Sequence, residues 1–168
     1  MNLTSEKRSG VFSENRAYRY TLKIVWDESL SLCQFIGLNP STADEIQDDP
    51  TLRRCKGFAR SWGFGGIVMT NLFAFRDTDP EAMKAARWPI GETLYCHEYK
   101  NRNDFWLRHT HGICDLTVAA WGNHGAHLDR ATCVAGLLSG MKCFRLTMAG
   151  QPEHPLYMPR ATPLIDFN

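Results

Sequence analysis

Four short polar stretches of the sequence carry the side chains that could do chemistry, and each follows an apolar run. The stretches are Asn39-Pro40-Ser41, Asn71 with Arg76, Trp121-Gly122-Asn123-His124, and His154-Pro155. A side-chain amide offers both a hydrogen-bond donor and an acceptor, and so does a neutral histidine. These residue types favour a site that binds a polar ligand.

An acidic segment directly follows the first stretch. STADEIQDDP, residues 41–50, holds the carboxylates of Asp44, Glu45, Asp48 and Asp49. Such a segment opposes a phosphodiester backbone, but it could activate a water molecule or hold a cation. Asp49 precedes Pro50 and is more typical of a helix cap. No helix signal accounts for Asp44, which is therefore a candidate catalytic residue.

The apolar runs before these stretches are typical of buried strands. We expect core strands that end near Gly37 and that lie within 65–75, 113–122 and 142–150. A further strand within 18–26 is predicted to form an antiparallel hairpin with the first across Asp27-Glu28-Ser29. Helices are predicted after Asp49-Pro50 and Asp79-Pro80, and over about 92–110 and 126–139.

Strands that alternate with helices indicate an α/β fold. The predicted architecture is a three-layer α/β/α sandwich with a mostly parallel four-stranded central sheet plus an N-terminal antiparallel hairpin strand. In a parallel sheet the carboxyl ends of the strands lie at one edge. The four polar stretches are therefore expected to meet in a single cleft.

Composition narrows the class of protein. A chain of 168 residues with 43% apolar content predicts a single domain over 1–168, in which residues 1–15 form a loosely ordered N-terminal arm. The formal charge of +1 provides no strong global field toward nucleic acid or membranes. No apolar run reaches about 18 residues, so we expect a cytoplasmic protein with no membrane partner. The six cysteines lack a C-x-x-C pair and are interpreted as reduced core thiols.

The polar stretches resemble motifs of the uracil-DNA glycosylase superfamily. GLNPS, residues 37–41, resembles the Gly-Ile-Asn-Pro-Gly motif of the mismatch-specific branch, and TNLFAFRDTDP, residues 70–80, resembles a segment of the thermostable branches. VAAWGNHGA, residues 118–126, and EHPLYMP, residues 153–159, are similar to the two later motifs of the superfamily. The sequence resembles more closely an uncharacterised bacterial and phage family marked by Leu-Asn-Pro-Ser-Thr-Ala-Asp.

The resemblance implies roles for three residues. Asn39 matches the asparagine that positions the attacking water, and Asn71 matches an asparagine able to pair with a base edge. His154 matches the histidine that hydrogen-bonds the pyrimidine oxygen as charge develops on the departing base. The other residues expected to contact the ligand are Gly37, Leu38, Pro40, Ser41, Phe75, Arg76, Trp121, Gly122 and Asn123.

The sequence also departs from the superfamily pattern. The thermostable branches bind an iron-sulfur cluster through four cysteines, including an N-terminal C-x-x-C that is absent here. We therefore expect no iron-sulfur cluster and no other cofactor. Histidine pairs such as His109-x-His111 lack the accompanying elements of a zinc site, so no metal is expected. The serine that grips phosphate after the histidine motif is replaced by Leu156.

Simpler structural roles compete with these functional ones. Asn39 could form only a local turn ahead of Pro40, and Asn71 could be a strand-end amide bonded to backbone. Trp121 is more typical of a core residue, and Arg76 of a solvated loop. The basic residues of the helix after Pro50 are either a solvated face or a contact to a nucleic-acid backbone. They are Arg53, Arg54, Lys56 and Arg60.

The leading hypothesis is a glycosylase-like protein that recognises a nucleobase or nucleotide. It could hydrolyse the N-glycosidic bond of a modified or deaminated base, with Asn39 and Asp44 handling water and His154 stabilising the departing base. The ligand is expected to be a nucleobase, a nucleotide or a nucleic acid that presents a single-stranded or flipped base. The alternatives are a non-catalytic nucleotide or nucleic-acid binding module and a hydrolase of a small nucleotide-like metabolite.

Overall fold

The protein is an α/β fold, and its described residues form one seven-stranded mixed sheet and four helices. The computed structural model describes residues 6–41, 46–92 and 102–168. The strands are β1 (Lys7–Phe12), β2 (Arg19–Val25), β3 (Leu32–Gly37), β4 (Gly66–Asn71), β5 (Leu116–Ala119), β6 (Lys142–Cys143) and β7 (Ile165–Asp166). The helices are α1 (Pro50–Ser61), α2 (Pro80–Ala85), α3 (Arg102–Ile113) and α4 (Arg130–Leu137), with short 3-10 turns at Asn123–Asp129 and Pro155–Tyr157.

The sheet runs in the order β1-β2-β4-β3-β5-β6-β7. Its centre, β4-β3-β5-β6, is parallel, and β2 and β7 join it antiparallel at the two sides. The chain passes from β3 to β4 on one side and then returns to β5 on the other side of β3. Such a reversal leaves a crevice at the carboxyl ends of β3 and β5, where open α/β sheets bind ligands.

Helices pack on both faces of the sheet, because side chains alternate along each strand. Phe35 of β3 belongs to an apolar cluster that includes Leu52 and Phe58 of α1. The next residue, Ile36, belongs to a second cluster with Leu107 of α3 and Val134 of α4. The central strands are thus covered by α1 on one face and by α3 and α4 on the other.

Local sequence signals account for the bounds of α1. The Asp49 side chain accepts a hydrogen bond from Leu52 N at 2.7 Å, and Pro50 occupies the first helical turn. The helix ends at Trp62, and Gly63 follows with φ of 85°. Asp79 and Pro80 begin α2 in the same way. The predicted starts of both helices are confirmed.

Several predictions about the sheet and its flanks are wrong. Over the part of the chain that the structure describes, the sheet has seven strands rather than four plus a hairpin strand. The expected hairpin across Asp27-Glu28-Ser29 does not form, because β2 and β3 both pair with β4 and lie on opposite sides of it. Within the segment 1–15, predicted to be loosely ordered, Lys7–Phe12 form β1 paired with β2.

The last core strand and the last helix are shorter than predicted. β6 covers only Lys142–Cys143, because residues 145–153 pair with one another: Glu153 N donates to Arg145 O at 3.0 Å and Thr147 N to Gln151 O at 2.8 Å. The helix expected over 126–139 begins at Arg130, after the kinked 3-10 segment that starts at Asn123.

Other sequence predictions concern membranes, thiols and metals. None of the helices in the described ranges is both long and apolar enough to cross a bilayer. Cys33, Cys55 and Cys143 are buried free thiols, whereas Cys114 is half-buried and Cys133 is exposed, contrary to the expected core position. Cys96 lies outside the described residues. Over residues 6–41, 46–92 and 102–168, no group of three or more His, Cys, Asp or Glu side chains is placed to hold a metal ion.

Candidate functional site

A cleft of about 770 Å³ opens at the carboxyl ends of β3, β4 and β5. Because Gly37 pairs in register with Asn71 and Ile36 with Ala119, the three strands end level with one another. Nine residues predicted to form the site line this cleft: Gly37, Leu38, Asn39, Ser41, Asn71, Trp121, Gly122, Asn123 and His154. Residues far apart in sequence are therefore brought to one edge of the sheet.

Asn71 is the most deeply buried polar side chain of the cleft. It is 3% exposed, and its Nδ2 atom has no hydrogen-bond partner among the described residues. An ideal Cβ on the neighbouring Gly37 would lie 2.8 Å from Asn71 Oδ1, so glycine leaves the space that this amide occupies. An unpaired buried polar atom costs about 1–3 kcal/mol, so the Nδ2 donor of Asn71 would gain from pairing with an atom of a ligand.

The backbone that holds Asn71 is fixed by buried polar side chains from two helices. Asn103 Nδ2 donates to Asn71 O and to Leu72 O, both at 3.0 Å. Arg130 donates through Nε to Leu72 O at 2.8 Å and forms a buried ion pair with Asp104. These contacts satisfy the carbonyl groups where β4 ends and hold Asn71 in place.

One end of the Asn39 side-chain amide is hydrogen-bonded to the backbone. Its Nδ2 donates to Asp77 O at 2.8 Å, with longer contacts to Pro40 O and Phe75 O at 3.5 Å. This interaction ties the turn after β3 to the loop after β4. Within the described part of the chain, Asn39 Oδ1 makes no hydrogen bond, so it can accept one from a water molecule or a ligand.

His154 enters the cleft from the segment after β6. Gly122 N donates to Pro152 O at 2.8 Å and anchors this segment to the end of β5. His154 Nδ1 accepts from Leu156 N at 3.4 Å, which places the proton of the neutral ring on Nε2. Burial lowers the pKa of His154, and the negative charge of Asp49 opposes that shift. A neutral imidazole with an Nε2–H donor is the favoured form at pH 7.

Asp49 links α1 to the cleft. Its Oδ1 accepts from Leu52 N, while its Oδ2 accepts from Ser41 Oγ at 2.5 Å. Both oxygens therefore have structural partners, which agrees with the interpretation of Asp49 as a helix cap. The carboxylate is nevertheless close enough to His154 to act on it electrostatically.

The stretch after β5 is shaped by its glycine and its tryptophan. Gly122 has φ of 70°, in the left-handed region that favours glycine. Trp121 is 2% exposed, donates through Nε1 to Gln151 Oε1 at 2.9 Å, and packs against Phe167. Its ring is a wall of the cleft that is locked into the core. Asn123 accepts from Thr147 Oγ1 at 2.6 Å.

Three predicted site residues do not line the cleft. Pro40 is buried, Phe75 packs edge-on against Tyr18, and Arg76 donates to Arg16 O at 3.2 Å. The reason is that Phe75 N pairs with Pro89 O and Arg76 N with Ala17 O, which carries these two residues away from the strand ends. Asp44 lies outside the described residues.

Most of the chain matches the model of a protein family. The model of a family described as "Protein of unknown function (DUF1643)" matches residues 19–156. The chain belongs to this DUF1643 family. No curated protein and no solved structure matches the chain. The span matched by the DUF1643 model contains Asn39, Asn71 and His154 and leaves out β1 and β7.

The cleft of this DUF1643 member also contains residues that sequence reasoning missed. Arg19 is 4% exposed and lines the cleft from β2. Alternation along 18–25 places Arg19 on the face opposite Leu22, where an edge strand would leave its side chain exposed. In the structure β2 is not an edge strand, because it lies between β1 and β4. Asp77 lines the cleft too and accepts from Asp79 N at 2.8 Å. Its position in the loop after β4 was the available signal.

Proposed function

We propose that this cleft binds a nucleobase and that the protein hydrolyses the N-glycosidic bond of a modified or deaminated base. The motifs around Asn39, Asn71 and His154 resemble those of the uracil-DNA glycosylase superfamily. Helices on both faces of a sheet with four parallel strands support the three-layer α/β/α sandwich of that superfamily. A cleft of about 770 Å³ is in the size range of small-molecule sites and can hold a base with its sugar.

The observation that carries the proposal is the unpaired amide of Asn71. A nucleobase edge presents a carbonyl oxygen beside an N–H group, and a side-chain amide complements both with one planar group. Pairing with a base would satisfy the buried Nδ2 donor and remove its desolvation penalty. Binding of a base therefore gives Asn71 the partner that the protein itself does not supply.

His154 has the protonation state that the reaction needs. As the C1′–N bond breaks, its electron pair goes to the departing base, and negative charge spreads to the ring oxygens. Because Nδ1 accepts from Leu156 N, the Nε2–H group of His154 is the donor available to that charge. A donor fixed in place before the charge develops lowers the barrier.

Water is handled at the other side of the cleft. Asn39 Oδ1 accepts a hydrogen bond from the attacking water, whose oxygen forms the new bond to C1′. An amide does not take up the proton that the water loses, so a carboxylate is required. Asp77, whose carbonyl is bonded to Asn39, is the candidate within the described residues, and Asp44 is the candidate from the sequence.

Release of free base tests the proposal. Single- and double-stranded oligonucleotides that carry uracil, hypoxanthine or modified pyrimidines are incubated with the protein, and released base is quantified by chromatography. His154→Ala is expected to slow release about 100- to 1000-fold, the usual effect of removing a transition-state donor. Asn39→Ala removes the acceptor that positions the attacking water and is expected to slow release about 100-fold. His109→Ala, an exposed change on α3, is the matched control and keeps the wild-type rate. Release that both site variants leave unchanged overturns the proposed roles.

One observation favours a second candidate function, a non-catalytic base-binding module. The Nδ2 group of Asn39 is bonded to the loop after β4, which is the arrangement of a structural turn residue. In that case Asn71 and His154 bind a base and no bond is broken. Tight binding of a base-containing ligand without release of free base supports the module, whereas turnover abolished by Asn39→Ala supports the enzyme.

A further inference from the structure

A second concave surface, the arginine groove, lies along the outer side of α1. It encloses about 470 Å³. Its lining residues are Pro50, Arg53, Arg54, Gly57, Phe58, Arg60, Ser61 and Arg160. Four of these eight residues are arginines and none is acidic, although the whole chain carries a formal charge of only +1. The positive charge is therefore concentrated locally.

Most of this charge has no carboxylate partner in the described ranges. Arg53 donates to the carbonyl of Asp48 at 2.9 Å, and Arg54 donates to the carbonyl of Met158. Arg160 makes no ion pair with any described residue. Arg60 lies 3.1 Å from the Glu6 carboxylate, which also pairs with Lys56 and Arg8. Guanidinium groups match phosphate oxygens in charge and geometry, so an anion with several phosphates fits this surface.

Two of the guanidinium groups are held in position by aromatic rings. Arg60 lies 4.1 Å above the Trp26 ring, and Arg54 lies 5.1 Å from the Phe58 ring. Such stacking orders a side chain before a ligand arrives and reduces the entropy lost on binding. The groove is thus partly preorganised for an anion.

Gly57 leaves the middle of the groove without a side chain. It occupies the middle of α1, where glycine costs about 1 kcal/mol relative to alanine. An ideal Cβ there would meet nothing within 4 Å, so packing does not require glycine. Gly57 lines the arginine groove, and the missing side chain keeps its floor open for close approach of a ligand.

The groove adjoins the cleft at the start of α1, because Pro50 lines both. The 12 residues of α1 extend about 18 Å from that point. A stripe of this length is longer than the phosphates of a single nucleotide need. We propose that the arginine groove binds successive phosphates of a single nucleic-acid strand whose base enters the cleft, an inference that rests on the proposed function for the position of the base.

Binding of labelled oligonucleotides tests the groove. A fluorescein-labelled deoxythymidine 12-mer and an abasic 12-mer are titrated with the protein by fluorescence anisotropy over a series of salt concentrations. Arg53→Ala/Arg160→Ala is expected to weaken binding of both 12-mers at least tenfold. The slope of log K against log salt is negative, and its magnitude should decrease by about 1.4, since each phosphate contact on a single strand contributes about 0.7. Thermal unfolding of each variant checks that the fold is intact.

The control has the same change of charge elsewhere. Arg87→Ala/Arg108→Ala removes two exposed arginines outside the groove and should keep both the affinity and the slope of the wild type. Equal losses in the two double variants, or no loss in Arg53→Ala/Arg160→Ala, overturn the inference. The inference is also overturned if Arg53→Ala/Arg160→Ala lowers the affinity for thymidine monophosphate by the same factor of ten, because the groove would then bind a single phosphate.

The groove and the proposed function fail in different ways. Asn71→Leu should weaken the base-containing 12-mer and leave the abasic 12-mer unchanged. If Asn71→Leu affects neither while Arg53→Ala/Arg160→Ala weakens both, the arginine groove stands and base recognition in the cleft is contradicted. If Asn71→Leu weakens only the base-containing 12-mer and Arg53→Ala/Arg160→Ala changes the binding of neither 12-mer, base binding in the cleft stands and the groove is contradicted.

Discussion

Asn71 and Asn103 are both buried asparagines near the end of β4, and among the described residues each has one side-chain atom without a hydrogen-bond partner, Nδ2 in Asn71 and Oδ1 in Asn103. Asn103 donates to two carbonyl groups, whereas Asn71 Nδ2 has no partner in the described structure. A buried polar group that is satisfied stabilises the fold, and one that is left unpaired destabilises it. The two Nδ2 donors therefore differ: the donor of Asn103 holds the backbone, whereas the donor of Asn71 is available to a ligand.

Replacing each asparagine by leucine, which has the same number of side-chain heavy atoms, tests this contrast. Asn103→Leu is expected to lower the free energy of unfolding by about 1–3 kcal/mol, because the carbonyls of Asn71 and Leu72 each lose a donor, although the Leu72 carbonyl keeps the one from Arg130. Asn71→Leu should change it by less than about 1 kcal/mol and weaken binding of a nucleobase at least tenfold. Urea unfolding and titration calorimetry measure the two quantities. Equal destabilisation by both changes would contradict the role given to Asn71.

The partial burial of His154 predicts a pH dependence of stability. Burial holds the pKa of His154 below its ordinary value of 6.5, so the unfolded chain binds a proton that the folded protein resists. Stability should therefore fall as pH drops below about 6.5 toward the lower pKa of the folded state. His154→Gln lacks this contribution. The free energy of unfolding of the wild type should therefore decrease more than that of the variant when the pH is lowered from 7.5 to 5. Parallel pH profiles in urea unfolding would contradict it.

At the scale of elements, the end of β3 determines whether the cleft can form. Gly37 is opposite Asn71 in the parallel pair of β3 and β4. In Gly37→Ala the new Cβ would approach Asn71 Oδ1 to 2.8 Å, so the amide must shift. We expect at least a tenfold loss of nucleobase affinity, measured by titration calorimetry.

Gly136→Ala is the matched control for that change. Gly136 is exposed in α4, and a Cβ there would meet nothing within 4 Å. Alanine should raise helix stability by about 0.5–1 kcal/mol and leave ligand affinity unchanged. If the two glycine variants bind equally well, the steric link between Gly37 and Asn71 is wrong.

The sequence predicted elements better than their pairing. Continuous apolar runs located β3, β4 and β5, and cap-plus-proline pairs located the starts of α1 and α2. The partner of β2 is β4 rather than β3, because strand pairing is decided by which apolar faces the whole sheet buries. A local turn signal at Asp27-Glu28-Ser29 contains no information about that choice.

One rule about the sheet was enough to bring several of the predicted site residues together. Parallel strands that end together place Asn39, Asn71 and His124 on one rim, and His154 joins them through the Pro152 contact. The rule failed for Phe75 and Arg76, whose backbone pairs with Pro89 and Ala17. Arg19 was missed since its burial depends on the addition of β1, which residue types alone do not indicate.

At the scale of the whole molecule, an ion network fastens the edge of the sheet to α1. Arg8 and Lys56 each pair with Glu6 and Asp48, all at 2.7 Å. Burial raises the pKa of Glu6, but hydrogen bonds and charge from Lys56 and Arg8 outweigh it and lower the pKa overall. The network therefore stabilises the protein above the ordinary Glu pKa of about 4.5, and the contribution is lost as pH falls through the lower folded value.

Glu6→Gln should reduce the free energy of unfolding on the order of 1 kcal/mol at pH 7 and much less near pH 3. Glu28→Gln, which removes an exposed pair with Lys7, is the control and should have almost no effect. Urea unfolding at both pH values measures the change. A cost of Glu6→Gln that is the same at pH 7 and pH 3 would contradict the electrostatic origin.

The central claim is that the cleft holds a nucleobase against Asn71, and a crystal structure of the protein with nucleobases and nucleosides tests it most directly. The account predicts a base at the carboxyl ends of β3, β4 and β5, with a ring oxygen about 3 Å from Asn71 Nδ2 and a second polar atom within reach of His154 Nε2. A base bound elsewhere on the surface, or one that enters the cleft without contacting Asn71, would contradict it.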